Sequence, residues 1–226
     1  LINVGLNRIP HGWELPAGIG AAGAMLGLAH LSGADMTSEG LDPANAESGL
    51  RLGLAVGVPA AALVLAGAAI PAVRKYYHDD RITRATSDDI TYHLLARIPF
   101  ATAMTEEVIF RSALLGVFGR TRRPFFAAVL SSALFGAWHI LPTIDRLHTN
   151  PGTVRLHGSD PKRQALTVAS VVAGTALAGM AFCWLQKQSH SVVAPIVVHA
   201  AINGSGLLAG WIGARRQAAA EADPAS

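Results

Sequence analysis

The chain has 226 residues, of which 51% are hydrophobic and 15% charged, and a formal charge of +3. That length supplies one domain. Its apolar residues fall in long blocks rich in Ala, Gly, Leu and Val, which excludes an ordinary water-soluble globule and reads as an all-α, polytopic transmembrane helix bundle. The basic residues cluster beside the hydrophobic blocks, which suits the head groups of a lipid bilayer and speaks against nucleic acid as a partner. The single cysteine, Cys183, cannot form an intramolecular disulfide, reads as a small core residue and says nothing of redox compartment. The first residues lack the features of a signal peptide, and the start at Leu1 fits a truncated or processed chain.

Crossing a hydrocarbon core takes roughly 20 apolar residues, and windows at about 13–31, 50–73, 94–118, 124–142, 165–186 and 190–213 come close to that requirement, giving an expectation of about six membrane-spanning helices. The first is the weakest, being short, glycine-rich and closed by His30. Ser87, Asp88 and Asp89 ahead of the third read as an N-cap and first-turn acids. Residues 1–89 contribute about two helices without a specific motif, and 214–226 read as a frayed cytoplasmic tail. Threading six spans puts Arg8, Arg74, Lys75, Arg81, Arg84, Arg97, Arg146, Arg155, Lys162, Arg163, Arg215 and Arg216 on one face, and Arg51, Arg120, Arg122, Arg123 and Lys187 on the other. By the positive-inside rule the first face, with both termini, is cytoplasmic, although residues 120–123 count locally against it.

The third window contains TAMTEEVIFR, with Glu106, Glu107 and Arg111 inside an apolar segment. One ionised side chain near the middle of a bilayer helix costs on the order of 3 kcal/mol. Glu107 and Arg111 are four apart and share a helix face, so they read as a pair; Glu106, rotated about 100° from Glu107, needs a partner from another span or water. The bland reading is one buried network that fixes helix register. Two further windows weigh against it: the fourth ends FGAWH with His139, and the sixth carries HAAIN, with His199 and Asn203 on one face. Pro195, without an N–H, points to an irregular backbone near His199.

A carboxylate, two imidazoles and a carboxamide in a restricted aqueous cavity suit hydrolysis: Glu106 takes a proton from water, His139 orients that water, and His199 and Asn203 donate to the oxyanion of an attacked peptide carbonyl. A second reading makes Glu106, His139 and His199 zinc ligands with an open fourth position, against which the chain has no HExxH. Metal-free chemistry, without a cofactor, is the preferred expectation. A third reading, from another class, is a transporter or proton relay.

These residues resemble a known family. EEVIFR (Glu106 to Arg111), FGAWH (Phe135 to His139) and HAAIN (His199 to Asn203) are similar, in order and spacing, to the EExxxR, FxxxH and HxxxN motifs of the CPBP intramembrane proteases, which comprise type II CAAX prenyl endopeptidases and bacterial relatives also called the Abi family. The resemblance spans roughly residues 90–213, which become the expected protease core. It implies an intramembrane glutamate endopeptidase of the cell membrane acting on a peptide or protein substrate, prenylated or leader-type. Glu106 would activate water, His139 would be its partner, and His199 with Asn203 would stabilise the oxyanion, with Glu107 and Arg111 in supporting roles. Some members act as scaffolds or immunity factors, which is the remaining alternative.

Overall fold

The computed structural model describes residues 12–74, 77, 82, 84–121, 123–149 and 160–222, and every regular element among them is helical. Helix α1 runs Glu14–Leu31 and α2 runs Ala46–Ala69, entered through a 3₁₀ turn at Pro43–Asn45. Helix α3 is continuous from Ser87 to Thr121 but mixed in character. Its α-helical start, Ser87–Tyr92, gives way to π-helix over His93–Met104, returns to α-helix over Thr105–Glu107, becomes π-helix again over Val108–Leu114 and ends as Leu115–Thr121. Helices α4 (Pro124–Trp138), α5 (Ile140–Thr149), α6 (Pro161–Ser189) and α7 (Val193–Ala222) complete the bundle. Arg8, Lys75, Arg81, Arg122, Arg155 and the last residues of the expected tail lie outside the described residues.

Among the described residues four helical stretches, Pro43–Ala69, Pro124–Thr149, Pro161–Ser189 and Val193–Ala219, are long and apolar enough to cross a membrane. The other two expected spans, α1 and α3, are not among them: α1 has 18 residues with Glu14 at its start, and the regular α-helix of α3 is interrupted by π turns around its charges. The chain is a helical membrane protein.

Several local expectations change. The N-cap of α3 is Thr86, one residue ahead of Ser87, and Thr86 and Asp89 close a reciprocal capping box. The fourth span does not run unbroken to residue 142, because His139 ends α4 before α5 begins. Residues 214–222, expected to fray, continue α7 as helix. Pro195 is the third residue of α7, where a helix has no internal acceptor for an N–H anyway, so it causes no irregularity in the bundle. The irregular backbone lies in α3 instead. There an i→i+5 pattern, a form that recurs at functional sites, flanks the glutamates. Two hydroxyls bond into this region: Thr105 Oγ1 donates to the Phe100 carbonyl (3.2 Å) and Ser131 Oγ, from α4, to the Phe110 carbonyl (2.6 Å).

Small residues set the helix spacing. Gly49, Gly53 and Gly57, four apart, form a ridge on α2 against α7, and a Cβ at Gly53 would lie 2.8 Å from Val197 Cβ and 3.1 Å from the Ala194 carbonyl. On α1, a Cβ at Gly18 would lie 2.6 Å from Thr105 Oγ1, so α1 meets α3 beside the glutamates. A Cβ at Gly206 would meet nothing within 4 Å, whereas one at Gly210 would lie 2.8 Å from the Tyr77 carbonyl. The core gathers Ile109 and Phe110 of α3, Phe135 of α4, Phe182 and Leu185 of α6 and Val198 of α7.

Candidate active site

Glu107 and Arg111 are completely buried, and Glu106 and His199 are each 6% exposed. The spacing argument for Glu107 and Arg111 holds, with Arg111 Nε 3.1 Å from Glu107 Oε2. None of the guanidinium nitrogens has an aligned hydrogen-bond acceptor. The cation lies instead against aromatic faces, its Cζ 4.1 Å from the Phe135 ring centroid and 5.2 Å from that of Phe182. A desolvated contact of this kind contributes about 2 kcal/mol. Two glycines make the cage fit. A Cβ at Gly179 would fall 3.0 Å from Arg111 Nη2, and one at Gly136 would fall 2.6 Å from the Val172 carbonyl, so side chains at these positions would hold α4 and α6 apart and crowd the cation.

Glu107 has a second partner. Its Oε1 is 2.7 Å from His199 Nδ1, which joins α3 to α7 across 92 positions of sequence. The His199 ring stacks on Phe182 at 5.4 Å and 21° and stands edge-on to Phe135 at 6.1 Å. A carboxylate that also faces Arg111 acts as acceptor, so Nδ1 donates and His199 Nε2 is the nitrogen left for other chemistry. That nitrogen is 3.9 Å from Glu106 Oε2. Glu106 meets its expected partner from another span in Trp138, whose Nε1–H donates to Oε1 at 3.1 Å; Oε2 is buried and carries no hydrogen bond.

His139 sits at the break between α4 and α5, with Nδ1 2.8 Å from the Phe135 carbonyl. A carbonyl only accepts, so Nδ1 carries the proton and a neutral ring presents Nε2 as an acceptor. Its ring packs on Phe135 at 4.8 Å, which puts both histidines around one phenylalanine, but no hydrogen bond or ion pair joins His139 to Glu106 or His199. Asn203 is exposed one turn beyond His199 and makes no hydrogen bond to the described residues. The structure thus brings Glu106, Glu107, Arg111 and His199 into direct contact and leaves His139 and Asn203 at the periphery.

A family model for type II CAAX prenyl endopeptidase Rce1-like proteins matches residues 90–205, a little over half of the chain. The protein belongs to this family. No curated protein and no solved structure matches the chain. Membership makes it a CPBP-family intramembrane protease, a peptide hydrolase of the CAAX-endopeptidase type, and the match contains the positions of Glu106, His139 and His199. Residues 12–74 lie outside it, yet α1 packs on the glutamate-bearing part of α3 and α2 packs on α7.

Among the described residues no three His, Cys, Asp or Glu side chains gather as a metal-holding group. Sequence reasoning missed Trp138 and Phe182 as site residues. A signal for Trp138 existed: a tryptophan beside His139 in an apolar helix needs a partner for its indole N–H when buried.

Proposed function

We propose that this CAAX-type endopeptidase cuts a peptide bond of a membrane-associated substrate with a water molecule activated by Glu106. The observation that supports it most is the 3.9 Å separation of Glu106 Oε2 from His199 Nε2, too long for a direct hydrogen bond and short enough for one water to touch both. In the reaction Glu106 Oε2 takes a proton from that water as its oxygen bonds to the scissile carbonyl carbon. The carbonyl oxygen becomes the oxyanion, which His199, when protonated, meets with its Nε2–H. The C–N bond then breaks and the proton held by Glu106 passes to the leaving amine.

Glu107 orients His199 through Nδ1, and Arg111 balances the Glu107 charge so that the pair can stay buried. His139, with Nε2 as acceptor, orients the water, and Asn203 approaches the oxyanion once substrate closes the site. The substrate class is a prenylated or leader-type peptide presented at the cytoplasmic boundary of the cell membrane, with no bound cofactor.

The test is cleavage of a membrane-presented peptide library by the purified full chain, beside folded Glu106→Gln and His199→Ala. General-base removal is expected to lower kcat by about 10²- to 10⁴-fold. Full turnover by Glu106→Gln would sink the base assignment. Equal inactivity of all three proteins toward every substrate would favour a scaffold or immunity role. Inhibition of the parent by a slow, strong chelator would reopen the metal reading.

A further inference from the structure

Trp138 is the last residue of α4 and half-buried, and its indole reaches the Glu106 carboxylate. An indole N–H donates and never accepts, so the 3.1 Å contact occupies Glu106 Oε1 and leaves Oε2 as the oxygen on the His199 side. The indole is itself held, edge-on to Phe110 at 5.5 Å and 78°. A glutamate at this site has three side-chain torsions to order, and no other hydrogen bond to its carboxylate is present among the described residues.

We infer that Trp138 is a positioning residue, one that locks the Glu106 side chain so that Oε2 alone faces the reacting water. This rests on the reading of Glu106 as the base. Orientation that fixes which oxygen takes the proton acts on the chemical step and leaves substrate binding untouched. Trp138→Phe keeps an aromatic ring against Phe110 and removes the N–H donor together with part of the ring volume, so the kinetics are read beside the indole resonance.

The experiment pairs kinetics with a spectroscopic signature. In Trp138→Phe, kcat falls about ten- to a hundredfold, the scale of one hydrogen bond to a charged group, with KM unchanged. The chain has four tryptophans, and in protein labelled with ¹⁵N at tryptophan the indole resonance missing from Trp138→Phe is that of Trp138. Glu106→Ala moves this resonance and leaves those of Trp13, Trp184 and Trp211 in place. Full kcat in Trp138→Phe beside an inactive Glu106→Ala would overturn the positioning role and spare the base. If none of the four indole resonances moves in Glu106→Ala, the contact itself is overturned, an outcome that needs no assignment from Trp138→Phe and so decides the matter even if that variant does not fold. An active Glu106→Ala would remove base and positioning role together, a pattern distinct from either.

Discussion

Replacing Gly53 with alanine puts a methyl group into the α2–α7 seam. The new Cβ would stand 2.8 Å from Val197 Cβ and 3.1 Å from the Ala194 carbonyl, whereas carbon atoms rest roughly 3.5–4.0 Å apart. Helix α7 must therefore back away by about 1 Å. His199 lies two residues beyond Val197, and its 2.7 Å bond to Glu107 tolerates only about 0.5 Å before it leaves hydrogen-bond range. Overpacking costs about 1–3 kcal/mol, and alanine returns about 1 kcal/mol of helix propensity, so the net loss of stability is about 0–2 kcal/mol. Activity suffers more, because a misplacement of about 1 Å can cost about 100-fold. Gly27→Ala is the control: its Cβ would meet nothing within 4 Å, and the change gains about 0.5–1 kcal/mol. Unfolding in detergent followed by circular dichroism, with peptide cleavage measured on the same preparations, separates the two variants. If Gly53→Ala proves as stable and as active as Gly27→Ala, the seam does not set the position of His199.

Arg111→Met leaves Glu107 buried without its cation and is expected to cost about 3–5 kcal/mol, and adding Glu107→Gln to it should restore part of that loss; strict additivity in the double-mutant cycle would deny the pairing. Outside the spans, burial holds the Glu39 carboxyl above its ordinary range, while His30, 3.4 Å from Oε1, pulls it back and Asp35 pushes it up. The folded chain then keeps this proton to higher pH than the unfolded chain does. The Glu39 contribution is fully present below the unfolded pKa, ordinarily 4.5, and is lost as pH rises from there through the folded value. Glu39→Gln should flatten that decline, and unfolding midpoints that run parallel to the parent's from about pH 4 to pH 8 would exclude Glu39 as its source.

The chemistry of the site was more legible in the sequence than its geometry. Glu107 and Arg111 could be paired from their spacing because one helix holds both, and Glu106 could be said to need an outside partner because an intramembrane carboxylate is costly alone. Which residue answered could not be read, since the Trp138 contact depends on how α4 is rotated against α3. Nor could the second contact of Glu107 be read, because its bond to His199 joins two helices whereas its pairing with Arg111 lies within one. The π turns leave no periodic trace in so uniformly apolar a segment, and without them α3 was read at 3.6 residues per turn throughout. The ridge of Gly49, Gly53 and Gly57 was present at regular spacing, but its partner on α7 was not. Pro195 falls in the interior of an apolar window that opens at 190, whereas α7 begins at Val193 and the proline belongs to its first turn.

The 92 positions between Glu107 and His199 also order events during synthesis. Helix α3 is made before its distant partner exists, so until then Glu107 has Arg111 as its counter-charge four residues away in its own helix. That built-in neutralisation lowers the cost of burying the glutamate, and the same ion pair later supports the site. Glu106 receives the Trp138 donor 32 positions on, and the imidazole arrives last of all. A ribosome still translating residues before His199 thus carries Glu106 without its imidazole partner, and the growing chain holds no complete site until α7 has been made.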